Sequence, residues 1–292
     1  MQPTPIFHVR LGHGLGNRLF QYASIKGIAA KLGYSFNVLE NTVDSEHYQQ
    51  TYDWFLSRVA SDVGAYSIGR SVVYNQPDAE HIGIKTNVDY IRQNRFDSIL
   101  MNGYFQSEAN FAHIKNELRD VLCDESLAIR HTLDMFHPLA STSTCIALHI
   151  RLGDYMTKTG HLINLQKYYE RCITIVRNTR DTTHFLIVCE DPQNISKVYP
   201  NLLSFIEQQN KYTIVSTSTH SSLDPVEYDL YLLARCAGVI CSNSTFSWWG
   251  AWIGLNRNDH TKMNNKVFIP DKWHHNNSHY VGMDGAVIVE CI

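Results

Sequence analysis

The sequence predicts an α/β fold in which helices cover parallel β-sheets. Near the amino terminus, an apolar strand pattern at residues 5–11 precedes a loop with three glycines at 12–17 and a helical pattern at 18–32. Strand, glycine loop and helix in this order are the layout of a Rossmann-type opening. In the second half, short apolar runs alternate with helical patterns, which is typical of parallel sheets.

The 292 residues are enough for two domains, and one segment has the composition of a linker. This segment holds Pro138 and the polar run at 141–144. We therefore predict one domain over residues 1–140 and a second over residues 141–292.

The composition is that of a soluble globular protein, with 44% hydrophobic and 18% charged residues. A formal net charge of −3 gives no basic surface of the kind that binds nucleic acid, so no nucleic-acid partner is expected. The amino terminus lacks the layout of a signal peptide, and no apolar run approaches the ~20 residues that span a bilayer. We expect a soluble cytoplasmic chain without stable membrane insertion.

The seven cysteines are scattered and odd in number. Four of them lie within apolar or helical patterns, at positions 145, 172, 189 and 236. This predicts buried free thiols in a reducing compartment. No Cys/His spacing suits zinc, and three histidines near the carboxyl terminus lack a ligand set, so we interpret them as surface residues: His274, His275 and His279.

The second half predicts a regular series of elements. The strand patterns lie at 145–150, 184–189, 212–216 and 238–241. The helical patterns lie at 166–177, 195–208 and 225–235. Ligands of parallel sheets bind at the carboxyl ends of the strands, where Arg151, Glu190-Asp191 and Ser242-Asn243 would emerge.

Residues 145–155 carry a cationic group to the end of a buried strand. His149 and Arg151 lie two residues apart on one face, Gly153 turns the chain, and Asp154 follows. A guanidinium in this place is costly unless an anion or a carboxylate meets it. Two interpretations stay open: a structural contact between Arg151 and Asp154, or a clamp on phosphate oxygens.

A second stretch, residues 242–252, predicts an anion site at a helix start. Ser242 or Asn243 can cap the helix, and its first turn carries the hydroxyls of Ser244, Thr245 and Ser247. Unsatisfied N–H groups and the helix dipole favour an anion there. The tryptophans of this stretch are expected to pack in the core rather than to stack on a substrate: Trp248, Trp249 and Trp252.

Two features of the first half admit more than one interpretation. Glu40 lies near the place where a dinucleotide site has an acidic residue, which keeps a NAD-binding interpretation open. Residues 41–96 are polar and aromatic and either face a sugar or pack in the core. The aromatic residues in question are Tyr48, Tyr52, Trp54 and Phe55.

Three segments together resemble glycosyltransferase family 11, the galactoside α-1,2-fucosyltransferases. They are the run from Gly14 to Ala23, the HxRxGD element from His149 to Asp154, and the NSTFSWW run from Asn243 to Trp249. The HxRxGD element recurs in other fucosyltransferase families, whereas the NSTFSWW run is much narrower. The similarity extends over nearly the whole chain, although the position before Gly14, usually glycine, is His13 here.

The resemblance implies a GT-B-like fold with two Rossmann-like lobes and a cleft between them. It implies GDP-fucose as donor, a galactose-terminated oligosaccharide or glycoconjugate as acceptor, and no cofactor. The first lobe would bind the acceptor, and its acceptor-side residues would be His13, Gly14, Gly16 and Asn17. Asn17 would also contact a sugar at the reacting centre.

The second lobe would bind the donor. By resemblance, Arg151 would contact the diphosphate, and His149 and Asp154 would hold the HxRxGD element in place. The nucleotide–diphosphate site would be lined by Asn243, Ser244, Thr245 and Phe246. Glu190 or Asp191 would either accept hydrogen bonds from guanine or cap a helix.

The expected chemistry is metal-independent inversion at fucose. Cleavage of the sugar–phosphate bond builds negative charge on GDP, which a guanidinium and a helix start can stabilise. The Asp-x-Asp pattern of metal-dependent sugar-nucleotide enzymes is absent, and only the imperfect runs 44–46 and 227–229 approach it. Three residues are candidates for the general base: His13, Asp154 and Asn17.

Other functions are kept as alternatives. They are a fucosyltransferase of different linkage or acceptor, a sugar-nucleotide-binding protein without turnover, and a NAD-dependent oxidoreductase. The sequence names neither the acceptor glycan nor the oligomeric state.

Overall fold

The computed structural model describes residues 4–39, 55–64, 71–77, 82–94, 96–158, 160–179, 183–215, 224–257, 266–275 and 279–292. The chain divides into two compact units, Met1–Leu122 and Cys123–Ile292. In the part of the chain that the structure describes, each unit contains one sheet, and the strand pairs of both sheets are parallel. The predicted α/β class is therefore confirmed.

The first unit is a five-stranded sheet with helices between its strands. Its elements in chain order are β1 (Ile6–Val9), α1 (Leu15–Leu32), β2 (Ser35–Leu39), β3 (Val63–Gly64), β4 (Ser71–Asn75), α2 (Asp89–Asn94), β5 (Ser98–Asn102) and α3 (Lys115–Leu122). The strand order is β3-β2-β1-β5-β4, so β1 lies in the middle. The loops that follow β1 and β5 therefore leave the sheet side by side.

Helix α1 crosses the core of the first unit and is buried along most of its length. It ends at Gly33, whose φ of 71° is left-handed and whose N–H reaches the carbonyls of Ala29 and Ala30. Gly27 lies where the helix touches the turn at Asn110, and a Cβ there would come within 2.4 Å of the Asn110 carbonyl oxygen. A glycine at this position allows the backbones to approach closely.

The second unit is a six-stranded sheet. Its elements are α4 (Leu127–Phe136), β6 (Cys145–Ile150), α5 (Gln166–Arg177), β7 (His184–Cys189), α6 (Ile195–Val198), α7 (Leu202–Glu207), β8 (Lys211–Val215), α8 (Pro225–Arg235), β9 (Gly238–Ile240), α9 (Thr245–Asn256), β10 (Val267–Pro270) and β11 (Val287–Val289). The order β11-β10-β9-β6-β7-β8 places β6 between β9 and β7. The residues of β6 are buried throughout, as a central strand requires.

Two details of the second unit differ from the sequence prediction. The helix expected over 195–208 is two short helices, α6 and α7, because Pro200 lies between them and cannot continue an α-helix. Strands β10 and β11 were not predicted, because each has only three or four residues and offers little periodicity.

The boundary between the units lies before the predicted linker near residue 140. The reason is a buried carboxylate, Glu125, that is bridged by Arg130 at 3.1 Å and by Arg235 and Arg257 at 3.4 Å. Arg235 on α8 also pairs with Asp134 on α4 at 2.6 Å. These ion pairs hold α4 against the second unit, although its residues precede Pro138.

Several sequence interpretations fall on residues outside the described ranges. Glu40, on which the NAD interpretation depends, is one of them, and Tyr48, Tyr52 and Trp54 are others. Phe55 is described and fully buried, with its ring edge-to-face against Tyr22 at 5.5 Å, so for this residue the packing interpretation is correct. All seven cysteines are free thiols, and Cys291 alone among them is partly exposed.

Among the residues that the structure describes, no helix is both long and apolar enough to cross a membrane.

The close approach at Gly27 generates a stability prediction. We expect Gly27→Ala to destabilise the protein by about 1–3 kcal/mol, because overpacking against the Asn110 backbone outweighs the ~1 kcal/mol that alanine gains in helix propensity. Chemical denaturation monitored by circular dichroism measures the difference. Gly282→Ala is the control, since among the described residues its methyl group would meet only Tyr280, at 3.7 Å. A Gly27→Ala protein as stable as this control would contradict the packing argument.

Candidate functional site

The predicted donor-side residues gather at the carboxyl edge of the second sheet. Strands β9, β6 and β7 are neighbours, and each is followed by one of the predicted polar groups. Arg151 follows β6, Glu190-Asp191 follows β7, and Ser242-Asn243 follows β9. The sheet order thus brings together segments that are about forty to ninety positions apart in the chain.

Arg151 lies between two carboxylates. Its guanidinium donates to Asp154 Oδ1 at 2.5 Å and pairs with Glu190 Oε1 at 3.1 Å, and 28% of its side chain is exposed. The guanidinium carbon also lies 5.2 Å from the ring centroid of Tyr155, within cation–π range. The structural contact with Asp154 therefore exists, and the contact with a phosphate stays a prediction.

Glu190 ties the end of β7 to the turn after β6. Its Oε1 accepts a hydrogen bond from the backbone N–H of Leu152 at 3.1 Å. Gly153 has a left-handed φ of 27°, and a Cβ there would lie 2.8 Å from Glu190 Oε1. Burial raises the pKa of Glu190, while the charge of Arg151 acts in the opposite direction.

Asp154 is the meeting point of two cations. Besides Arg151, it accepts a hydrogen bond from Lys158 Nζ at 2.5 Å. Partial burial raises the pKa of Asp154, but the Lys158 hydrogen bond and the Arg151 charge outweigh it and hold the pKa below its usual range. Such a carboxylate is ionised at neutral pH and is a weak base.

His149 is buried and neutral. Its Nδ1 is 2.8 Å from Ser242 Oγ, and its ring lies 5.7 Å from that of Phe246. Burial, and after it the charge of Arg151, lower the pKa of His149 to about 3. The imidazole therefore links the end of β6 to the end of β9 without carrying charge.

Helix α9 begins with a cap that differs from the predicted one. Ser244 is the N-cap, and its side chain accepts from the N–H of Phe246 at 3.3 Å. The prediction of Ser242 or Asn243 is wrong because both side chains have other partners. Ser242 faces His149, and Asn243 Nδ2 donates to the carbonyls of His161 and Trp273, both at 2.9 Å.

The NSTFSWW run divides into supporting and surface positions. Asn243 and Ser244 are buried and bonded to the protein itself, whereas Thr245 and Phe246 are partly exposed in the first turn of α9. The three tryptophans are fully buried and pack edge-to-face, with centroids 5.1 and 5.2 Å apart. Their predicted packing role is confirmed.

Asp191 has one carboxylate oxygen engaged and one without a partner. Its Oδ2 accepts from Asn194 Nδ2 at 2.7 Å, and among the described residues its buried Oδ1 meets no hydrogen-bond donor. Asp191 precedes the short 3₁₀ turn Pro192–Asn194, but its side chain makes no capping hydrogen bond to the backbone. The helix-capping alternative is therefore wrong for Asp191.

Tyr155 was not singled out from the sequence, and it joins the two segments that were predicted to bind the donor. Its hydroxyl donates to the carbonyl of Asn243 at 3.2 Å, while its ring faces Arg151. Burial raises the pKa of Tyr155 to about 12, so the hydroxyl stays protonated. The sequence feature that could have identified Tyr155 is its position directly after Asp154, the last residue of the HxRxGD element.

Two histidine rings pack in a row next to the ring of Tyr155. The ring of His161 lies 5.2 Å from Tyr155 and 4.7 Å from His274. The interpretation of His274 as a surface residue is wrong, because this side chain is half-buried against His161. His275 and His279 are exposed, as predicted.

Asp229 on α8 was considered only as part of an imperfect metal pattern. It is 2% exposed, and among the described residues its Oδ1 has no hydrogen-bond partner. Burial, and after it the negative charge of Glu190, raise the pKa of Asp229 to about 8. The signal in the sequence was an aspartate on the apolar face of a helix.

The predicted acceptor-side residues lie at the carboxyl edge of the first sheet, in the loop after β1 and in the first turn of α1. Asn17 Oδ1 accepts a hydrogen bond from Gln106 Nε2 at 2.9 Å, so the loop after β5 reaches it. His13 is exposed, and its carbonyl accepts from the buried Arg18 Nε at 2.8 Å. Gly14 is the N-cap of α1, and Gly16 lies within its first turn.

Among the described residues, no group of three or more His, Cys, Asp or Glu side chains could hold a metal ion. The imperfect run 44–46 lies outside the described ranges.

The sequence matches one family and several curated proteins. A family model described as Glycosyl transferase family 11 matches residues 87–282. O-antigen biosynthesis glycosyltransferase WbnK of Escherichia coli is 23% identical over 90% of this chain and 93% of its own length. An alpha-1,2-colitosyltransferase of E. coli is also 23% identical, over 84% of this chain and 86% of its own length. A galactoside 2-alpha-L-fucosyltransferase of Caenorhabditis elegans is 24% identical, over 87% and 71%.

Solved structures share the fold at low sequence identity. NodZ alpha-1,6-fucosyltransferase, in a crystal soaked with GDP-fucose, matches with a TM-score of 0.51 and 15% identity, over 86% of this chain and 93% of that one. Fucosyltransferase NodZ from Bradyrhizobium matches with a TM-score of 0.50 and 15% identity, over 85% and 91%. This likeness shows the fold, which is of the GT-B class with two Rossmann-like lobes, as predicted.

The raised pKa of Asp229 generates a pH prediction. The folded chain keeps a proton that the unfolded chain releases between about pH 4 and pH 8, so this group lowers the free energy of unfolding as pH rises through that window. Asp229→Asn does not titrate. We expect the difference in free energy of unfolding, Asp229→Asn minus wild type, to increase by roughly 3–5 kcal/mol from pH 5 to pH 9. Urea denaturation at the two pH values measures it.

The exposed Asp120 provides the control for this measurement. The free energy of unfolding of Asp120→Asn should differ from that of wild type by a similar small amount at pH 5 and at pH 9. A stability difference between Asp229→Asn and wild type that stays constant with pH would show that Asp229 is ionised in the folded protein.

Proposed function

Because the chain belongs to glycosyl transferase family 11, we propose that it transfers fucose from GDP-fucose to the 2-hydroxyl of a terminal β-galactoside. The observation that carries this proposal is the position of Arg151, beside the start of helix α9 at one edge of the second sheet. Similarity to a galactoside 2-alpha-L-fucosyltransferase and to a fucosyltransferase fold crystallised with GDP-fucose supports the choice of donor and product.

Arg151 is the proposed contact for the diphosphate. Its fork of N–H donors suits phosphate oxygens, and its place at the end of β6 exposes part of the guanidinium. A bound diphosphate would compete with Asp154 and Glu190 for that guanidinium. The N-terminal end of α9, with Thr245 and Phe246 partly exposed, adds the favourable end of a helix dipole.

The residues around Arg151 are proposed to position it rather than to react. His149 is neutral and bonded to Ser242, and Asp154 is held by Lys158 as well as by Arg151. Tyr155 closes the arrangement by bonding the Asn243 carbonyl. Because these contacts exist before the donor arrives, the guanidinium needs little reorganisation as charge develops.

Recognition of guanine is proposed for a carboxylate with an available oxygen. Guanine presents N–H donors that a carboxylate can accept. Glu190 is engaged by Arg151 and by the Leu152 N–H, whereas the Oδ1 atoms of Asp191 and Asp229 have no hydrogen-bond partner among the described residues. We therefore favour Asp191 over Glu190 for this role, because the raised pKa of Asp229 keeps that carboxyl group largely protonated at neutral pH.

The proposed reaction is an inverting displacement. The acceptor oxygen bonds to the anomeric carbon while the bond from that carbon to the diphosphate oxygen breaks, and the electron pair leaves with GDP. Negative charge grows on the diphosphate, where Arg151 and the α9 terminus act. The acceptor hydroxyl gives up its proton, which ends on water, as the new bond forms. Of the candidate bases, Asp154 is disfavoured by its low pKa and Asn17 by the absence of basicity in an amide.

A colitose donor is the second candidate. It is favoured by one observation, the similarity to a relative named alpha-1,2-colitosyltransferase, which is of the same order as the similarity to the α-1,2-fucosyltransferase. The two candidates share the linkage and differ in the sugar transferred.

The proposal is tested by a donor panel followed by analysis of the product. We expect transfer to lactose from GDP-fucose, little or none from UDP-galactose, and an α-1,2 linkage to galactose by NMR. Turnover should survive dialysis against EDTA, because Arg151 and the helix terminus are proposed to supply the countercharge. Fucose attached to another hydroxyl, preferential use of the colitose donor, or activity restored only by Mg²⁺ or Mn²⁺ would overturn the corresponding part.

Arg151→Lys separates the phosphate contact from a purely structural role. Lysine keeps the charge but loses the planar fork, so we expect kcat to fall by roughly 10²–10³ while the affinity for GDP falls less. If Arg151 only pairs with carboxylates, the change should stay within a few-fold, because a partly exposed pair contributes ~0–1 kcal/mol.

Arg171→Lys is the matched control for this substitution. Arg171 lies on α5 in the same unit and is about half exposed; its Nη1 is 3.8 Å from Glu290 Oε2 and donates to the Glu290 carbonyl at 3.0 Å. Its replacement should leave kcat and the melting temperature unchanged. A folded Arg151→Lys enzyme with kcat equal to that of Arg171→Lys would remove Arg151 from the mechanism.

A further inference from the structure

Two aromatic rings meet at the carboxyl edge of the first sheet. His13 lies in the loop after β1 and Tyr104 in the loop after β5, and β1 and β5 are paired neighbours. The ring centroids are 4.9 Å apart, with an interplanar angle of 38°. His13 is exposed and Tyr104 is partly exposed, so the pair presents ring surface to solvent.

The backbone of His13 has a conformation that normally favours glycine, and this conformation sets the position of the His13 ring. Its φ is 65°, in the left-handed region that is unfavourable for a residue with a Cβ. The loop is fastened on both sides of it: Arg18 Nε donates to the His13 carbonyl at 2.8 Å, and the Gly12 N–H donates to Gln21 Oε1 at 2.8 Å. A strained residue that is held in this way, with its side chain exposed, indicates a role for the side chain in function.

The backbone at Tyr104 is also held in place by hydrogen bonds. The buried Gln76 accepts hydrogen bonds through Oε1 from the N–H groups of Tyr104 and Phe105, at 2.9 and 2.8 Å. Gly103 has a φ of 154° and allows Gln76 to approach, since a Cβ there would lie 2.5 Å from Gln76 Cβ. The ring pair is therefore preorganised rather than carried on flexible chain.

Two side-chain amides lie close to the rings in the sequence, one in the first turn of α1 and one in the loop after β5. Asn17 follows His13, Gln106 follows Tyr104, and the two amides are joined by the 2.9 Å hydrogen bond from Gln106 Nε2 to Asn17 Oδ1. Amides both donate and accept hydrogen bonds, which suits hydroxyl groups. An aromatic ring has a negative face that attracts the partly positive C–H hydrogens of a pyranose.

We propose that the His13–Tyr104 pair is a stacking platform for the β-galactoside acceptor, and that His13 determines acceptor specificity in this chain. The apolar face of the galactose ring lies against the two rings, and its hydroxyls face the amides of Asn17 and Gln106. This inference rests on the proposed function, because it concerns the acceptor of that reaction.

The test compares His13→Gly, Tyr104→Ala and Tyr104→Phe with lactose as acceptor at saturating GDP-fucose. Removal of either ring should raise the KM for lactose about 5–10-fold with a smaller change in kcat, while the affinity for GDP by calorimetry stays within about two-fold. Tyr104→Phe keeps the ring and should stay near wild type. The melting temperature of His13→Gly should be unchanged or slightly raised, since relief of the left-handed strain offsets the greater freedom of glycine in the unfolded chain.

Tyr34→Ala is the matched control. Tyr34 also follows a positive-φ glycine, Gly33, and its ring pairs with Phe7 at 5.1 Å, but it precedes β2 and so lies at the opposite edge of the sheet. Its replacement should leave the KM for lactose unchanged. An unchanged KM in His13→Gly, or an equal rise in Tyr34→Ala, would overturn the platform.

Saturation-transfer NMR with lactose and GDP separates this inference from the proposed function. If the wild-type chain transfers no fucose but binds lactose, and His13→Gly abolishes the lactose signal, the platform stands although the proposed reaction fails. Lactose signals of equal strength in both proteins, or none in wild type, would overturn the platform even if GDP-fucose proves to be the donor.

Discussion

The arrangement of the second sheet depends on how Arg151 is compensated. A guanidinium at the end of a fully buried strand needs negative charge close by, because desolvation without a partner is costly. Asp154 supplies it from the following turn and Glu190 from the neighbouring strand. The second contact passes close to Gly153, where a Cβ would lie 2.8 Å from Glu190 Oε1, so glycine accommodates it without a shift of the Glu190 side chain. The ends of β6 and β7 are thereby tied together at the point where the segment from β9 arrives.

In both units, buried polar side chains hold loops so that less buried neighbours can face a ligand. In the second unit, Asn243 fastens two loops through their carbonyls, and Thr245 and Phe246 remain partly exposed. In the first unit, Arg18 and Gln21 fasten the loop whose exposed residue is His13. A motif residue is therefore not always a contact residue, because much of a motif specifies the backbone on which the contacts stand.

The carboxylates show why burial decides what a charged residue can do. Asp154 and Asp229 are the same residue type, and the pKa moves down for one and up to about 8 for the other. Two cations reach Asp154, whereas Asp229 is desolvated and lies in the field of Glu190. The cations that lower the pKa of Asp154 lie three and four residues away in the chain, at Arg151 and Lys158. The pKa of Asp229 is raised by burial and by Glu190, which the local sequence around Asp229 does not contain.

Much of the fold follows from the sequence alone. Hydrophobic periodicity and glycine geometry act locally, so the sequence alone indicates where several elements begin and end. Examples are the apolar runs at β6 and β7 and the glycine loop before α1. The same holds for the presence of Arg151 and the NSTFSWW run at strand ends. Only the tertiary structure decided that Ser244 rather than Ser242 or Asn243 caps α9, that Glu125 and its arginines draw α4 into the second unit, and that His13 faces Tyr104. These outcomes depend on contacts between residues distant in the chain, and sheet order, which local periodicity does not specify, determines which of those residues meet.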